Sequence, residues 1–407
     1  MTPFLQLAFV LVIILFMAKV AGYLSTRLGQ PSVLGELLIG LILGPSLIDL
    51  THLGFITDTH LQEVVLEMGE IGVLLLMFLA GLELNISDLT KNSRVSAYAG
   101  ILGVLVPVGL GWLIGSLIDM PSSHALFLGL TLGATSVSIS AQTLIELKML
   151  RSRVGLGLLG AAVFDDVLVI LLLSGFLALA SGHGGAADIV IVFLRMLLFL
   201  GLSVAFGLYL LPRIVRKISR LPISFGVVTL SIVILFTYGL AAELIGEMAA
   251  ITGTFIAGLM FGRTSAKNEV ESGIRALSYS FFVPIFFVTI GLNVDLHNIE
   301  LGVIGLLLLI SAVGILGKII GAGIGARFGR FSWRESLQLG IGMVSRGEVG
   351  LIVAQVGLTN QYITPQIFSA VVGMVLITTL VTPPMLRASF SSPKKATPLE
   401  PSQEKTP

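Results

Sequence analysis

Apolar stretches of about 20 residues recur along this chain, and they restrict its fold more than any other feature. The hydrocarbon core of a bilayer is about 30 Å thick, so a helix needs roughly 20 apolar residues to cross it. The stretches run from Phe4 to Leu386, and the connections between them are too short to hold a soluble domain. Only 12% of the 407 residues are charged, and the mean hydropathy is +1.01. The sequence therefore predicts an all-α polytopic membrane protein.

The apolar stretches predict about thirteen transmembrane helices, with ends defined to within a few residues. Numbered 1 to 13 along the chain, the predicted helices are 4–24, 33–48, 63–85, 95–118, 123–145, 156–181, 188–211, 225–244, 248–262, 277–294, 301–325, 336–357 and 365–386. They are expected to form one membrane domain over 1–386. The tail 387–407 is rich in Pro, Ser, Lys and Glu, so we expect it to be disordered and too short for a regulatory nucleotide-binding domain.

Basic residues outside the predicted helices occupy alternate connections only. They are Arg27, Lys91, Arg94, Lys148, Arg151, Arg153, Arg213, Arg216, Lys217, Arg220, Arg263, Lys267, Arg275, Arg327, Arg330 and Arg334. By the positive-inside rule these connections are cytoplasmic, so the amino terminus is expected outside and the C-terminal tail inside. The histidines lie in or beside the other connections, which leaves none as a proton carrier at the midplane.

Glycine-containing motifs recur in two pairs of predicted helices. Helix 2 carries Gly35, Gly40, Leu41 and Gly44, helix 9 carries Gly253, Gly258, Leu259 and Gly262 at identical spacing, and helices 3 and 10 end alike with Phe78, Gly81, Leu82 and Phe287, Gly291, Leu292. The two sets are seven helices apart, so the second copy crosses the membrane in the opposite sense. This predicts an inverted-topology repeat, which is common in secondary transporters. The alternative is that small residues match because they allow close helix packing.

Charged side chains lie deep inside three predicted helices. Placing an ionised group at the middle of the membrane costs about 2.5 to 3.5 kcal/mol, so each of these side chains needs a partner or a function. They are Asp165 and Asp166 in helix 6, Lys318 in helix 11, and Arg346 and Glu348 in helix 12. At about 1.5 Å per residue, the aspartates lie about 14 Å and the lysine about 11 Å from the cytoplasmic ends of their helices. These groups can therefore meet near the midplane.

The paired aspartates are the strongest candidates for function. Adjacent residues on a helix point about 100° apart, so one of Asp165 and Asp166 can face a cation cavity while the other meets Lys318. A buried carboxylate can hold a proton or a small cation, and competition between them is an exchange mechanism. The alternative is a structural ion pair, but a single pair needs only one acid. For Arg346 and Glu348 a structural role, bridging neighbouring helices, is favoured.

Small and polar residues interrupt predicted helices 5 and 12. The first run is 133–138, and the second contains Gly342, Ser345, Gly347 and Gly350. A helix can unwind at such a run, and broken helices expose carbonyls and charged half-helix ends at transporter binding sites. The hydroxyls of Thr135 and Ser136 can add ligands there. The alternative is again that small residues only allow close packing.

Motifs along nearly the whole chain resemble those of the cation/proton antiporter-2 family. They are Gly-Glu-Leu-Leu-Ile-Gly at 35–40, the segments 78–83, 133–136 and 161–167 with the paired aspartates, Lys318, and Ser345-Arg346-Gly347-Glu348. The resemblance implies a homodimer in which a core moves against a dimer or scaffold domain by an elevator-like motion. The implied core helices lie within 95–181 and 301–386, and the scaffold helices lie within 4–85 and 188–294.

The resemblance also implies roles for individual residues. Asp166 is the implied principal ligand of Na⁺ and H⁺, and Asp165 is both a site residue and the partner of Lys318. The unwound segments of helices 5 and 12 are expected to cross, with Ser345, Arg346 and Glu348 as a supporting network. Family members with two aspartates and the lysine are typically electrogenic. Relatives of glutathione-gated potassium efflux systems instead show Gln-Asp at the paired position and carry a cytoplasmic regulatory domain. Here Phe164 precedes Asp165-Asp166 and no such domain is expected, which favours Na⁺/H⁺ exchange with K⁺ as the alternative.

These features predict an electrogenic Na⁺/H⁺ antiporter of a bacterial cytoplasmic membrane, with K⁺/H⁺ antiport or K⁺ efflux as the alternative. The expected substrates are Na⁺ (or Li⁺ or K⁺) and H⁺, and we expect no cofactor, no enzymatic activity and no nucleic-acid partner. A passive cation channel would need a continuous polar pore, whereas the buried charges here cluster at one depth. Paired aspartates would repel the substrate of an organic-anion symporter, and a nucleotide-driven pump would need a phosphate-binding glycine loop.

Overall fold

The computed structural model describes residues 1–84, 92–181, 186–292 and 301–390. Nearly all of these residues are helical, and none of them lies in a β-strand. The α-helices over the described ranges are α1 Pro3–Arg27, α2 Ser32–Leu43, α3 Leu61–Leu82, α4 Ser93–Leu117, α5 Ser122–Gly133, α6 Val137–Glu146, α7 Arg153–Ser181, α8 Ala186–Ala205, α9 Leu211–Ile218, α10 Gly226–Leu244, α11 Ala250–Phe261, α12 Lys267–Leu277, α13 Val283–Leu292, α14 Leu301–Phe328, α15 Trp333–Gly342, α16 Glu348–Thr359 and α17 Pro365–Phe390.

Two short π-helical turns join neighbouring helices into longer ones. Phe206–Leu210 connects α8 to α9, and Ser278–Phe282 connects α12 to α13. Counting through these turns and through the break between α5 and α6, ten helices in the described part of the chain are long and apolar enough to cross a bilayer. Three shorter apolar helices accompany them, at Ser32–Leu43, Ala250–Phe261 and Val349–Thr359. The chain is an integral membrane protein.

Several predicted boundaries differ from the structure. Helix 2 was expected to reach residue 48, but α2 ends at Leu43, because Pro45 holds Gly44 in an extended conformation. Helix 10 was expected to begin at 277, whereas α12 begins at Lys267. Its first turns are amphipathic and bury Val270, so a search for uniformly apolar stretches excludes them.

The tail also begins later than expected. Disorder was predicted from residue 387, but α17 continues to Phe390, and Arg387 lies in its last turn. The remainder of the predicted tail, residues 391–407, lies outside the described part of the structure.

The helices pack in two groups. In the first, α4 packs against α5, α7 and α14, and α14 also contacts α15 and α17. In the second, α2 packs against α1 and α13, and α3 packs against α11 and α13. The two groups meet where α3 contacts α6 and where α17 contacts α2.

Glycines of the repeated motifs lie at the closest helix contacts of the second group. A Cβ atom on Gly40 of α2 would overlap the carbonyl oxygen of Val288 in α13, and one on Gly258 of α11 would overlap that of Phe78 in α3. Only glycine permits this approach of two backbones, as is common between membrane helices. These contacts fix α2 on α13 and α11 on α3.

Arg195 of α8, for which the sequence suggests no partner, binds the end of α10. Its guanidinium donates to the carbonyls of Leu244, at 2.8 Å, and Ile245, at 3.0 Å, and pairs with Glu247. The last carbonyls of a helix have no partners within it and carry partial negative charge. Arg195 therefore caps α10 and ties it to α8.

Candidate functional site

Two broken helices meet inside the bundle. The first break separates α5, which ends at Gly133, from α6, and the second separates α15, which ends at Gly342, from α16. The backbone N–H of Ser136 donates to the carbonyl of Ser345 at 2.9 Å, and the hydroxyl of Ser345 donates to the carbonyl of Ser136. The two runs of small and polar residues are thus places where the helices unwind and bind each other.

Nearby hydroxyls bind further backbone groups that the breaks leave without helical partners. The hydroxyl of Ser140 in α6 donates to the carbonyl of Gly342 at 2.6 Å, and that of Thr379 in α17 donates to the carbonyl of Arg346 at 2.7 Å. Non-helical backbone at membrane depth persists only where protein or water satisfies it. The serines and threonines of α6 and α17 therefore stabilise the breaks.

Arg346 is completely buried and binds backbone carbonyls. Its guanidinium donates to Leu132 at 2.8 Å, Gly314 at 3.1 Å, Val344 at 2.9 Å and Met343 at 3.3 Å. The carbonyls of Leu132 and Met343 lie at the C-terminal ends of α5 and α15, where a helix carries partial negative charge. These contacts have the bridging character expected for this side chain. The side chain of Glu348, its expected neighbour in the network, lies outside the described part of the structure.

Asp165 and Lys318 form a buried ion pair. The ammonium of Lys318 in α14 donates to Oδ1 of Asp165 in α7 at 2.6 Å, and the hydroxyl of Thr135 donates to the same oxygen at 3.0 Å. Lys318 is 0% exposed and Asp165 is 1% exposed. The other oxygen, Oδ2, is buried and accepts no hydrogen bond from the described residues. A buried ammonium and carboxylate at this distance compensate each other's charge.

Asp166 faces a different part of the molecule. Its Oδ2 accepts a hydrogen bond of 2.6 Å from the hydroxyl of Thr252, which lies in the first turn of α11. Asp166 also lines a small cavity of about 10 Å³, room for about one water-sized particle. Side chains of α3, α6, α7 and α11 form its wall, including Met77, Val137 and Phe255. Among the residues described as lining it, only Asp166 and Thr252 are polar.

The structure brings together Asp165, Lys318 and Thr135 of the predicted site, and it directs Asp166 to another surface of α7. The hydroxyl of Ser136 lies 3.0 Å from that of Ser138, and its backbone binds the second break. Ser136 therefore contributes to the site through its main chain.

Thr252 is the site residue that sequence reasoning missed. It immediately precedes Gly253 of the repeated glycine motif, which drew attention to the small residues only. Its depth in the membrane could have indicated it. Thr252 lies nine residues before the C-terminal end of α11, which is about 14 Å, and the aspartates are predicted at the same distance from the cytoplasmic end of their helix. A threonine at that depth in a short apolar helix is a hydroxyl that can reach them.

The site thus combines two broken helices, a buried lysine–carboxylate pair and a second carboxylate beside a cavity. In a helical membrane protein, this combination is typical of secondary transporters of small ions. The profile described as the transmembrane sodium/hydrogen exchanger matches residues 12–390, so the chain belongs to the sodium/hydrogen exchanger family. The predicted membership in a family of cation/proton antiporters is thus confirmed.

Similar proteins cover nearly the whole chain. The Na⁺/H⁺-K⁺ antiporter GerN of Bacillus cereus is 40% identical over 390 residues, which cover 95% of this chain and 97% of GerN. A Na⁺/H⁺ antiporter of Enterococcus hirae is 36% identical, covering 93% of this chain and 96% of that protein. The structure of the sodium proton antiporter MjNhaP1 from Methanocaldococcus jannaschii at pH 8 matches with a TM-score of 0.67 at 18% identity, over 95% of this chain and 97% of that one. This last similarity shows a shared fold.

Proposed function

We propose that this protein is a secondary active monovalent cation/proton antiporter, with Na⁺ as its cation, and that it is not an enzyme and uses no cofactor. The observation that carries the proposal is the position of Asp166, a buried carboxylate that faces a cavity while its neighbour Asp165 is bound to Lys318. A carboxylate in that position can hold H⁺ or Na⁺ in turn. The names of the relatives in Bacillus cereus and Enterococcus hirae support the same substrates.

Asp165 and Lys318 supply the second part of the mechanism. When Na⁺ binds Asp166, the Oδ2 atom of Asp165, which accepts no hydrogen bond from the described residues, can turn toward the cation as a further ligand. The attraction between Asp165 and Lys318 then weakens, and the ammonium can release its proton. One proton from Lys318 and one from Asp166 against a single Na⁺ would make the exchange electrogenic.

Potassium is the second candidate cation. The support for it is the printed name of GerN, an antiporter of Na⁺, H⁺ and K⁺ with 40% identity to this chain. The cavity beside Asp166 is small, and its size favours Na⁺ over the larger K⁺.

The packing supports an elevator-type motion. We propose that the helices within 95–181 and 301–386 form a core that moves against a scaffold of those within 4–85 and 188–294. Asp165, Lys318 and both helix breaks then belong to the core, whereas Thr252 belongs to the scaffold. The contact between Asp166 and Thr252 crosses the boundary between the two groups.

The glycine contacts support an inverted repeat. We also propose that all thirteen predicted helices cross the membrane. Gly40 approaches Val288, three residues before Gly291, and Gly258 approaches Phe78, three residues before Gly81. A two-fold operation that exchanges α2 with α11 and α13 with α3 converts one contact into the other. If these glycines served only close packing, the two contacts would not need to correspond to each other in this way.

We further propose that the protein acts as a homodimer in a bacterial cytoplasmic membrane, with the amino terminus outside and the carboxyl terminus in the cytoplasm. The bacterial relatives and the alternation of basic connections support this orientation.

Proton flux in liposomes tests the proposed function. The purified protein is reconstituted with a pH-sensitive dye inside the vesicles, and Na⁺, Li⁺ or K⁺ is added outside. Antiport predicts that an outward proton movement follows the addition of Na⁺ and persists under a voltage clamp set by an ionophore. A passive channel would instead carry cation current without any opposing movement of protons, and that result would reject antiport.

A further inference from the structure

Hydrogen bonds on the last turns of α6 join the two groups of helices. The carboxylate of Glu146 accepts from the backbone N–H of Ser32 at 2.7 Å and from the hydroxyl of Ser32 at 2.6 Å. Gln142, one turn earlier in α6, donates to Glu146 at 3.0 Å and accepts from the hydroxyl of Tyr279 at 3.1 Å. Gln142 and Glu146 belong to the proposed core, whereas Ser32 and Tyr279 belong to the proposed scaffold.

Glu146 supplies a cap that α2 lacks within its own sequence. Ser32 is the first residue of α2, so its backbone N–H has no partner inside the helix. The residue before it is Pro31, which makes no capping hydrogen bond. The start of a helix carries partial positive charge and therefore attracts a carboxylate. A scaffold helix is thus capped by a side chain of the core.

The helix α6 connects this cap to the ion site. It spans ten residues, Val137–Glu146, or about 15 Å. Ser136, directly before its first residue, binds Ser345 of the second helix break through its backbone. A short helix fixed to the core at one end moves with the core. In the proposed elevator motion, Glu146 must therefore separate from Ser32.

We propose that Gln142 and Glu146 form a latch, which holds the core to the scaffold in the observed arrangement and opens once in each transport cycle. The inference rests on the proposed function, because the motion of the two groups gives these bonds a role beyond packing. Ser32 and Glu146 are only partly buried. Water can therefore replace the bonds when the latch opens, which keeps the free energy of opening small.

Reaction of a single thiol measures the opening. The chain has no cysteine, so Met77→Cys introduces the only thiol. Met77 is 2% exposed and lies in the wall of the cavity between the two groups, where a maleimide can reach it only after the groups separate. The labelling rate is compared with and without Glu146→Ala or Tyr279→Phe. Glu335→Ala is the matched control, because its carboxylate also binds the backbone N–H of a serine, Ser332 at 2.8 Å, but both residues belong to the core.

Glu146→Ala is expected to raise the labelling rate about tenfold, the size expected for loss of hydrogen bonds to a charged group. Tyr279→Phe removes a bond between neutral groups and is expected to raise the rate about threefold. Glu335→Ala is expected to keep the rate of the Met77→Cys protein. An unchanged rate in Glu146→Ala would overturn the proposal. An equal rise in Glu335→Ala would also overturn it, because loss of any serine–carboxylate contact would then have the same effect.

A second thiol position separates opening of the latch from general loosening. Ala322 is completely buried and packs against Gly103 within the core, so Ala322→Cys should react at the same rate with and without Glu146→Ala. A rise there as large as at Met77→Cys would reject the latch. If Glu146→Ala does not assemble, Ser32→Ala removes one of its two bonds and serves for the same comparison.

The labelling rates are independent of the proposed transport activity. Wild-type liposomes without cation-dependent proton flux would reject antiport and leave the labelling comparison valid. Normal flux together with an unchanged rate in Glu146→Ala would instead reject the latch and leave antiport in place.

Discussion

Asp165 and Asp166 are adjacent in the sequence, but their carboxylates lie in different surroundings. Asp165 binds Lys318 and Thr135, both from the group of helices that contains the breaks. Asp166 binds Thr252 of the other group and faces a cavity with an otherwise apolar wall. The difference follows from the helical turn of about 100° between neighbours. It supports the proposed division of roles, in which Asp165 compensates the charge of Lys318 and Asp166 meets the transported ion.

The largest effect is expected from removing the carboxylate beside the cavity. Asp166→Asn should abolish Na⁺-driven proton flux, because an amide can neither take up a proton nor replace the charge that binds Na⁺. The protein should still fold, since the buried pair of Asp165 with Lys318 is kept. Flux in liposomes and a thermal unfolding curve measure the two expectations. The matched comparison is Asp165→Asn, the same substitution one residue earlier. Wild-type flux in Asp166→Asn would show that the roles of the two aspartates are assigned wrongly.

Asp165→Asn is expected to affect coupling and stability together. It leaves the ammonium of Lys318 buried without its carboxylate, and breaking a buried pair costs about 3 to 5 kcal/mol. The ammonium should therefore tend to lose its proton, and the charge moved per transport cycle should fall. Electrogenic current per Na⁺ transported is the direct measurement. If the ratio stays at the wild-type value, Asp165 has no part in proton coupling.

Lys318→Gln should lower thermal stability and reduce the charge moved per cycle, because one titrating site and one buried pair disappear together. Asp166 can still bind H⁺ or Na⁺, so exchange should continue. The double variant Asp165→Asn with Lys318→Gln sharpens the comparison, since it leaves no unpaired charge and should be more stable than either single variant. A Lys318→Gln protein that generates the wild-type membrane potential from a Na⁺ gradient would make Lys318 a structural residue only.

Thr135→Val should have the smallest effect of the series. It removes one of the two donors that the described residues offer to Asp165, and Lys318 still compensates the charge, so we expect a loss of about 1 kcal/mol in stability. A thermal unfolding curve measures this loss. A loss as large as that of Lys318→Gln would contradict the comparison, because Lys318 would then not be the main partner of Asp165.

The sequence alone was sufficient for the features that depend on local composition. Apolar length predicts most of the helices, and the placement of five charges within them predicts the depth of the site. Small residues at 133–138 predict the first break. Amphipathic helices are harder to predict from apolar length. The first turns of α12, for example, combine charged residues with the buried Val270.

Contacts between distant parts of the chain could not be read from the sequence. Nothing near Thr252 in the sequence indicates that its hydroxyl meets Asp166, since that contact depends on how α11 packs on α7. The partners of Arg346 could not be predicted either, because they are backbone carbonyls, which every residue has whatever its side chain. Hydrogen bonds to the main chain depend on the path of the chain and are visible only in three dimensions.

The bonds of Arg346 also bear on the order in which the protein can assemble. The guanidinium and the Leu132 carbonyl that it binds are 214 positions apart in the chain. A ribosome therefore releases α5 into the membrane long before its terminal carbonyl can meet this partner. Until Arg346 has been synthesised, the end of the early half-helix must take its hydrogen bonds from water or from other protein groups. Chains that stop before Arg346 should therefore leave the terminal carbonyl of α5 without this partner, however completely their first helices have inserted.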